Sequence, residues 1–290
     1  MKITRLPEDF RWPGGRRVAV IFNIAYEAWS DGQAPGIGPM GNVLKPGFFD
    51  TNAASWAAFG QVRGMARLLK IAEKHQIKTS VMVNGVLCER DPQTVKRLVE
   101  LGHEVVNHSW GMDVIPVYLD EAAERANLQK NHELLARTSG TAPTGWISPR
   151  GTGSLITSRL LAQAGYTHHG DVNDDELPYV MEFDSTRIVG IPLTMEVNDL
   201  PICIRYGHAP RHMLEVFQDS FAAMRERETV PLMLDVTAHT HVMGRAGGAW
   251  VYDSIMDIVK QASDVWICTR AQMARHVLDN TPAEKDGHEF

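Results

Sequence analysis

Short apolar runs alternate with stretches of helical periodicity along almost the whole chain. Val18 to Ile24 reads VAVIFNI, a nearly continuous apolar run after a Gly-Gly pair, which predicts a strand buried on both faces. Trp56, Phe59, Met65, Leu68, Leu69 and Ala72 then recur at helical spacing, and Thr79 to Val83 predicts the next strand. Asp91-Pro92 opens a helix with an N-cap and a first-turn proline, and Gly102 closes it. A strand follows from Glu104 to Asn107, then a helix capped by Asp120 that runs through Leu134 and Leu135. Gly145-Trp146-Ile147 reads as a strand, Leu155 to Ala164 as a helix ended by Gly165, and Arg187 to Ile191 as a strand. The remainder predicts a helix from Pro210 to Arg225, a strand from Pro231 to Thr237 and a helix from Trp250 to Gln261. A strand from Val265 to Cys268 and a last helix capped by Thr269 complete the series. Roughly seven β/α units without a break predict an α/β fold, one barrel-like parallel sheet wrapped by helices, as a single domain over residues 1–290.

Two connections are too long for this economy. Residues 30–50 are rich in glycine and proline, and residues 167–186 are polar and acidic. Each suits either a lid or an oligomer contact. The chain has 290 residues, 44% hydrophobic and 22% charged, with a net charge of -6 and no dense Lys/Arg run, which argues against nucleic acid as a partner. Cys88, Cys203 and Cys268 are isolated and odd in number, which speaks against a disulfide framework or a cysteine zinc site. The N-terminal residues lack an apolar signal core and no run of 18 apolar residues occurs, so a cytoplasmic protein away from the membrane is expected.

In parallel β/α barrels, reactive side chains gather at the C-terminal ends of the strands. That rule selects Asn23, Tyr26 and Glu27 after the first strand, Asn84 after the second and His108 after the third. It also selects Arg150 after the Trp146 strand, Asn198 and Asp199 after Ile191, and His239 and His241 after Pro231–Thr237. Glu27 is either a general base or a solvated loop carboxylate. His108 can titrate near neutrality or serve structurally. His239 and His241, two residues apart, are placed to share a pocket for metal ligation or acid/base work if the strand continues through them. Arg150, in SPRGTGS, offers a planar fork of donors to an anion or carbonyl. Asn198-Asp199 suits either an amide substrate or a turn, and Trp146 and Trp250 suit core or pocket wall. His75, His103, His168 and His169 read as solvated or capping residues.

Three segments carry a family resemblance: GHEVVNHSW (102–110), TAPTGWISPR (141–150) and HTHVMGRAGG (239–248). Together they resemble motifs of the polysaccharide deacetylase superfamily, and the likeness extends over about Val18 to Leu278. The resemblance implies a distorted β/α barrel of about seven strands. Within the superfamily the chain is similar to an intracellular branch of cyclic-imide hydrolases and peptidoglycan-deacetylase-like proteins, and to metal-independent bacterial allantoinases. Ala25-Tyr26-Glu27, Gly145, Trp146, Arg150, Asn198-Asp199, His239, Gly244 and Arg245 match the allantoinase pattern, with Ala246 where proline would stand. The resemblance also makes a homo-oligomer plausible. Deacetylases of the superfamily hold a divalent metal with one Asp and an H-x-x-x-H pair. Here Ala25 stands in the Asp position and Met112 in that of the second His, so only His108 remains. Neither alanine nor a thioether suits a hard or borderline divalent ion.

The expectation is therefore hydrolysis of a carbon–nitrogen bond in a small cyclic amide, imide or ureide without a cofactor. Glu27 or His108 is the expected base and His239 the acid. Arg150, Asn198 and His241 are expected to orient the developing oxyanion, Trp146 and Trp250 to wall the ring, and Asn23, Tyr26 and Asp199 to line the substrate site. The alternative is a zinc-dependent N-deacetylase of an acetylated sugar or peptidoglycan fragment, with a rearranged metal set drawn from Glu27, His108, His239 and His241.

Overall fold

The computed structural model describes residues 1–281. In chain order its elements are β1 (Lys2–Arg5), β2 (Val18–Tyr26), α1 (Thr51–Phe59), α2 (Met65–His75), β3 (Ser80–Val83), α3 (Leu87–Arg90), α4 (Pro92–Glu100) and β4 (Glu104–Asn107). Then come α5 (Glu121–Ser139), β5 (Gly145–Trp146), α6 (Thr157–Gln163), β6 (His168–His169), β7 (Tyr179–Phe183), β8 (Thr186–Gly190), α7 (Pro210–Glu226), β9 (Leu232–His239), α8 (Ala246–Gln261), β10 (Val265–Cys268) and α9 (Arg270–Asn280). A π-helical turn, residues 60–64, joins α1 to α2. The caps expected from sequence are present. Asp91 accepts from Thr94 N before α4, Asp120 accepts from Ala123 N before α5, and Thr269 with Gln272 forms a capping box on α9.

β2 is the hub of the sheet. It pairs in parallel with β9 along one edge, and with β10 and then β3 along the other. From β3 the parallel sheet continues through β4, β5, β6 and β8, and the antiparallel strands β7 and β1 complete it. Every residue of β2 is buried, as expected for a strand covered on both faces. Val18, Val20, Phe22 and Ile24 pack on one face among helical side chains such as Leu68, Leu98 and Phe217. Ala25 faces the other way, toward Met82, Val106 and Ile147 of the neighbouring strands and their ends.

The 167–186 connection departs from the expectation of a loop. It contains β6 and β7, and β7 pairs with β8 as a hairpin whose outer edge β1 covers. His169 and Tyr179 point inward from it and are buried, so the segment is part of the sheet despite its acidic sequence. His75, His103, His168 and His169, expected at the surface or in caps, are all buried as well. His168 sits 3.0 Å from Glu104, and His103 accepts from the Thr79 N–H. Partnering within the fold, which the local sequence does not display, makes their burial tolerable.

A polar knot lies where β2, β9 and α9 meet. Asn23 donates to Asp235 and to Thr237, and Asp235 stands 3.1 Å from Arg270, all of them buried. Arg270 also donates to the carbonyls of Ile191 and Pro192. Removing one side of such a pair strands the other charge away from water. Arg270→Ala is therefore expected to cost about 3–5 kcal/mol of stability, read from urea unfolding. A loss within the range of an exposed ion pair would show that the pair is not desolvated.

Candidate active site

The ends of β2, β4 and β9 bring three sequence-distant groups together. Glu27 follows β2 directly, His108 follows β4, and His239 is the last residue of β9. His108 Nε2 lies 3.5 Å and His239 Nε2 3.4 Å from the same oxygen of Glu27, Oε1. His241 Nδ1 lies 3.9 Å from the other, Oε2. All four residues are buried. Each of the first two rings is oriented from behind. His108 Nδ1 is 2.5 Å from the Ile147 carbonyl, and His239 Nδ1 is 2.6 Å from Asp199 Oδ1. Asp199 Oδ2 accepts from the backbone N–H of His239 and of Met243, so the carboxylate ties both the ring and its turn in place.

His241 does not simply continue the strand. Residues 240–244 turn sharply, with Thr240 N donating to the Ala25 carbonyl. That turn rests against the π-helical segment 60–64, and a side chain on Gly64 would put its Cβ 1.8 Å from the Thr240 carbonyl oxygen. Only glycine admits this approach. The indole of Trp56 meets the His241 ring edge-on at 4.5 Å between centroids, with Trp29 at 5.9 Å. His241 Nδ1 has no hydrogen-bond partner among the described residues.

These contacts set the charge states. Burial works against the Glu27 carboxylate, but His239, His108 and His241 outweigh it and hold its pKa well below the ordinary range. Burial likewise opposes a charged His239, yet Glu27 and Asp199 raise that imidazole to about 10. Burial, with the nearby His239 charge, lowers His241 to about 4 despite the pull of Glu27. Near neutral pH the site thus holds a carboxylate, an imidazolium and a neutral imidazole.

A cavity of about 440 Å³ opens over this group, lined by Glu27, His241, Trp29, Trp56, Met112, Asp113, Arg150 and Arg205 among others. His108 and His239 stand behind Glu27 rather than in the cavity wall. Arg150 reaches the cavity from a turn in which it adopts φ 63°, a left-handed conformation unusual for arginine and typical of residues held in place at sites. Six residues expected to contact substrate lie elsewhere. Asn23 is tied into the knot with Asp235, and Tyr26 packs among the helices and donates to Asp91. Trp146 is buried against Tyr166, donating to Ser148. Trp250 sits on an exposed face of α8 and donates to its own turn at Gly247. Asn198 is buried beside β9, accepting from Leu200 N, and Asp199 acts through His239 instead of facing the cavity. Reading only strand ends missed Trp29, Trp56 and Arg205. Trp29 alone carried a signal, following Glu27 by two residues.

The deacetylases of the superfamily this chain resembles hold a divalent metal, and of their three ligand positions it keeps only His108. Among the described residues no group of three or more His, Cys, Asp or Glu is arranged to hold an ion. The imidazole nitrogens of His108 and His239 converge on one oxygen of the Glu27 carboxylate, at 3.5 and 3.4 Å. Met112 lies in the cavity wall and Ala25 is packed against Val106, so neither adds a donor.

The family model for polysaccharide deacetylase matches residues 49–169. The chain is 25% identical over 294 residues to the peptidoglycan deacetylase of Helicobacter pylori, an alignment covering 90% of this chain and 98% of the relative. A crystal structure described as a "probable Polysaccharide deacetylase" from Pseudomonas aeruginosa superposes with a TM-score of 0.85 at 25% identity, covering 94% of this chain and 95% of that one. The PuuE allantoinase structure superposes equally well, TM-score 0.85 at 24% identity, over 97% and 96% of the two chains, which is a likeness of fold. None of the helices among the described residues is long and apolar enough to cross a membrane. The partial sequence match and the shared distorted barrel together make the chain similar to polysaccharide deacetylases over part of its sequence and in its fold.

Proposed function

We propose that the protein is a metal-independent hydrolase of the carbon–nitrogen bond in a small cyclic amide, imide or ureide. The observation that carries this reading is the buried row Asp199–His239–Glu27 at the floor of a mostly apolar cavity of about 440 Å³. It supplies a base and a protonated acid side by side, and the cavity has the size of a small ring compound. The names of the relatives, an allantoinase among them, support the same reaction class.

Water held at Glu27 Oε2 attacks the ring carbonyl and gives its proton to the carboxylate, while the carbonyl electrons move onto oxygen. Arg150 and His241 face that developing charge from the cavity wall. Collapse restores the carbonyl and expels the ring nitrogen, which takes a proton from Glu27 Oε2 as His239 Nε2, 3.4 Å behind the carboxylate, passes its own to Oε1. Glu27 is a weak base while His239 is charged, but the two titrate as one unit. As His239 gives up its proton, the attraction that lowered Glu27 weakens and the carboxylate gains basicity. Return of the Oε1 proton to His239 then resets the site. The new carboxylic acid releases its own proton to solvent.

Rates should follow these charge states. Activity requires His239 protonated and His241 neutral, so kcat/KM should be flat through neutrality. It should fall below about pH 4 as His241 is protonated, and above about pH 10 as His239 is deprotonated. A profile that instead rises through pH 7 would remove His239 as the acid.

The direct test is a hydrolysis screen over cyclic imides, allantoin and N-acetyl sugars, with and without chelator. Ring opening insensitive to chelator is the expected result. Release of acetate that chelator abolishes and zinc restores would replace this reading with the N-deacetylase one, which the family match over residues 49–169 favours.

A further inference from the structure

The cavity carries more positive charge than the reaction uses. Arg150 and Arg205 both line it, approaching from different parts of the fold. Arg205 ends the π-helical turn at 200–205, which begins directly after Asp199, and Arg150 projects from the strained turn at 149–151. Neither guanidinium has a hydrogen-bond or ion-pair partner among the described residues. The two carboxylates in the same wall are already engaged. Glu27 is balanced by His239, and Asp113 accepts from the backbone N–H of Ser30. The rest of the wall is largely apolar, including Ile115, Leu200 and Ile204. Two guanidiniums against the one Asp113 carboxylate leave a net positive charge over an apolar chamber in a chain of net charge -6, a local field that attracts an anion.

We infer that Arg205, together with Arg150, seats a carboxylate carried by the substrate ring, so that the enzyme selects a cyclic amide bearing an anionic substituent over its neutral parent. This rests on the ring-hydrolase reading above and names the substrate class for that site. Arg205 is the specificity-determining residue, and its planar fork matches a carboxylate in bidentate geometry. Arg150 divides its donors between the substituent and the carbonyl under attack.

The test separates binding from turnover. Cyclopentanone and its 3-carboxylate have no carbon–nitrogen bond to break, and calorimetry gives their dissociation constants. The carboxylate is expected to bind about 10- to 100-fold tighter, the scale of hydrogen bonds to a charged group. Arg205→Gln should remove most of that difference and Arg205→Lys should restore part of it. Hydantoin and hydantoin-5-acetate supply the turnover arm, where the preference should appear mainly in KM and collapse toward one in Arg205→Gln. Equal binding of the two ketones, or a preference unmoved by Arg205→Gln, overturns the inference. Inorganic phosphate displacing the ketone acid as well as a free carboxylate does overturns the choice of carboxylate. If the ketone acid binds through Arg205 but neither hydantoin opens, the anion seat stands and the ring-hydrolase reading fails.

Discussion

Glu27→Gln is expected to lower kcat by about 10²–10⁴-fold, the range attributed to general acid–base catalysis, while the fold persists. The amide is isosteric but takes no proton from water, and Glu27 is the carboxylate in the cavity that also touches His108 and His239. A second readout belongs to the same variant. Glu27 is one of the two charges that lift His239 to about 10, so its loss should move the alkaline limb of the pH profile toward neutrality. Initial rates on a cyclic imide across pH 5–11, with circular dichroism as the folding check, measure both effects. Wild-type kcat in the variant would remove Glu27 from the reaction.

Asp199→Asn should be nearly as costly, about 10²–10⁴-fold in kcat, although Asp199 touches no substrate. It is a positioning residue, and the scale is that seen when a carboxylate behind a catalytic histidine is neutralised. One oxygen holds the Nδ1 side of His239 and the other holds two backbone N–H groups, so an amide must set an NH₂ against one of those donors. The ring then loses orientation and counter-charge together. A purely structural role would lower the folded fraction and leave the pH profile of the surviving activity unchanged. The role assigned here predicts an alkaline limb displaced to lower pH. The same pair governs stability against pH. The folded-state pKa of His239 is raised above its unfolded value near 6.5, so its contribution is complete below that pH and is lost as pH rises toward about 10.

Much of this architecture was legible along the chain because it depends on local rules. Apolar runs bounded by glycine and proline located β2, β3, β4, β5, β8, β9 and β10, and Asp91-Pro92, Asp120 and Thr269 marked helix starts where caps form. The sheet role of residues 167–186 was not legible. Two-residue β6 and the inward-facing β7 are strands because β8, β5 and β1 pair with them, and no local periodicity records a partner's presence. Among candidate site residues, the strand-end rule named the whole convergent group of Glu27, His108, His239 and His241, and also Asp199 and Arg150. The rule could not tell which side of a strand each residue takes. Tyr26 turns to the other face of β2 and makes a helix contact, whereas Asn23, on the face that leads to Glu27, lies four residues deeper in a buried polar knot.

What the sequence determined by itself was the kind of protein: an alternating α/β chain with acids and bases at strand ends and an aliphatic residue where the resemblance expects an acidic ligand. What only the tertiary structure decided was the charge on each group and its neighbours. A carboxylate surrounded by three imidazoles, one of them backed by a second carboxylate, has protonation states that no single residue carries alone. They arise from burial and from distances of 3.4 to 3.9 Å between side chains more than eighty positions apart in the chain.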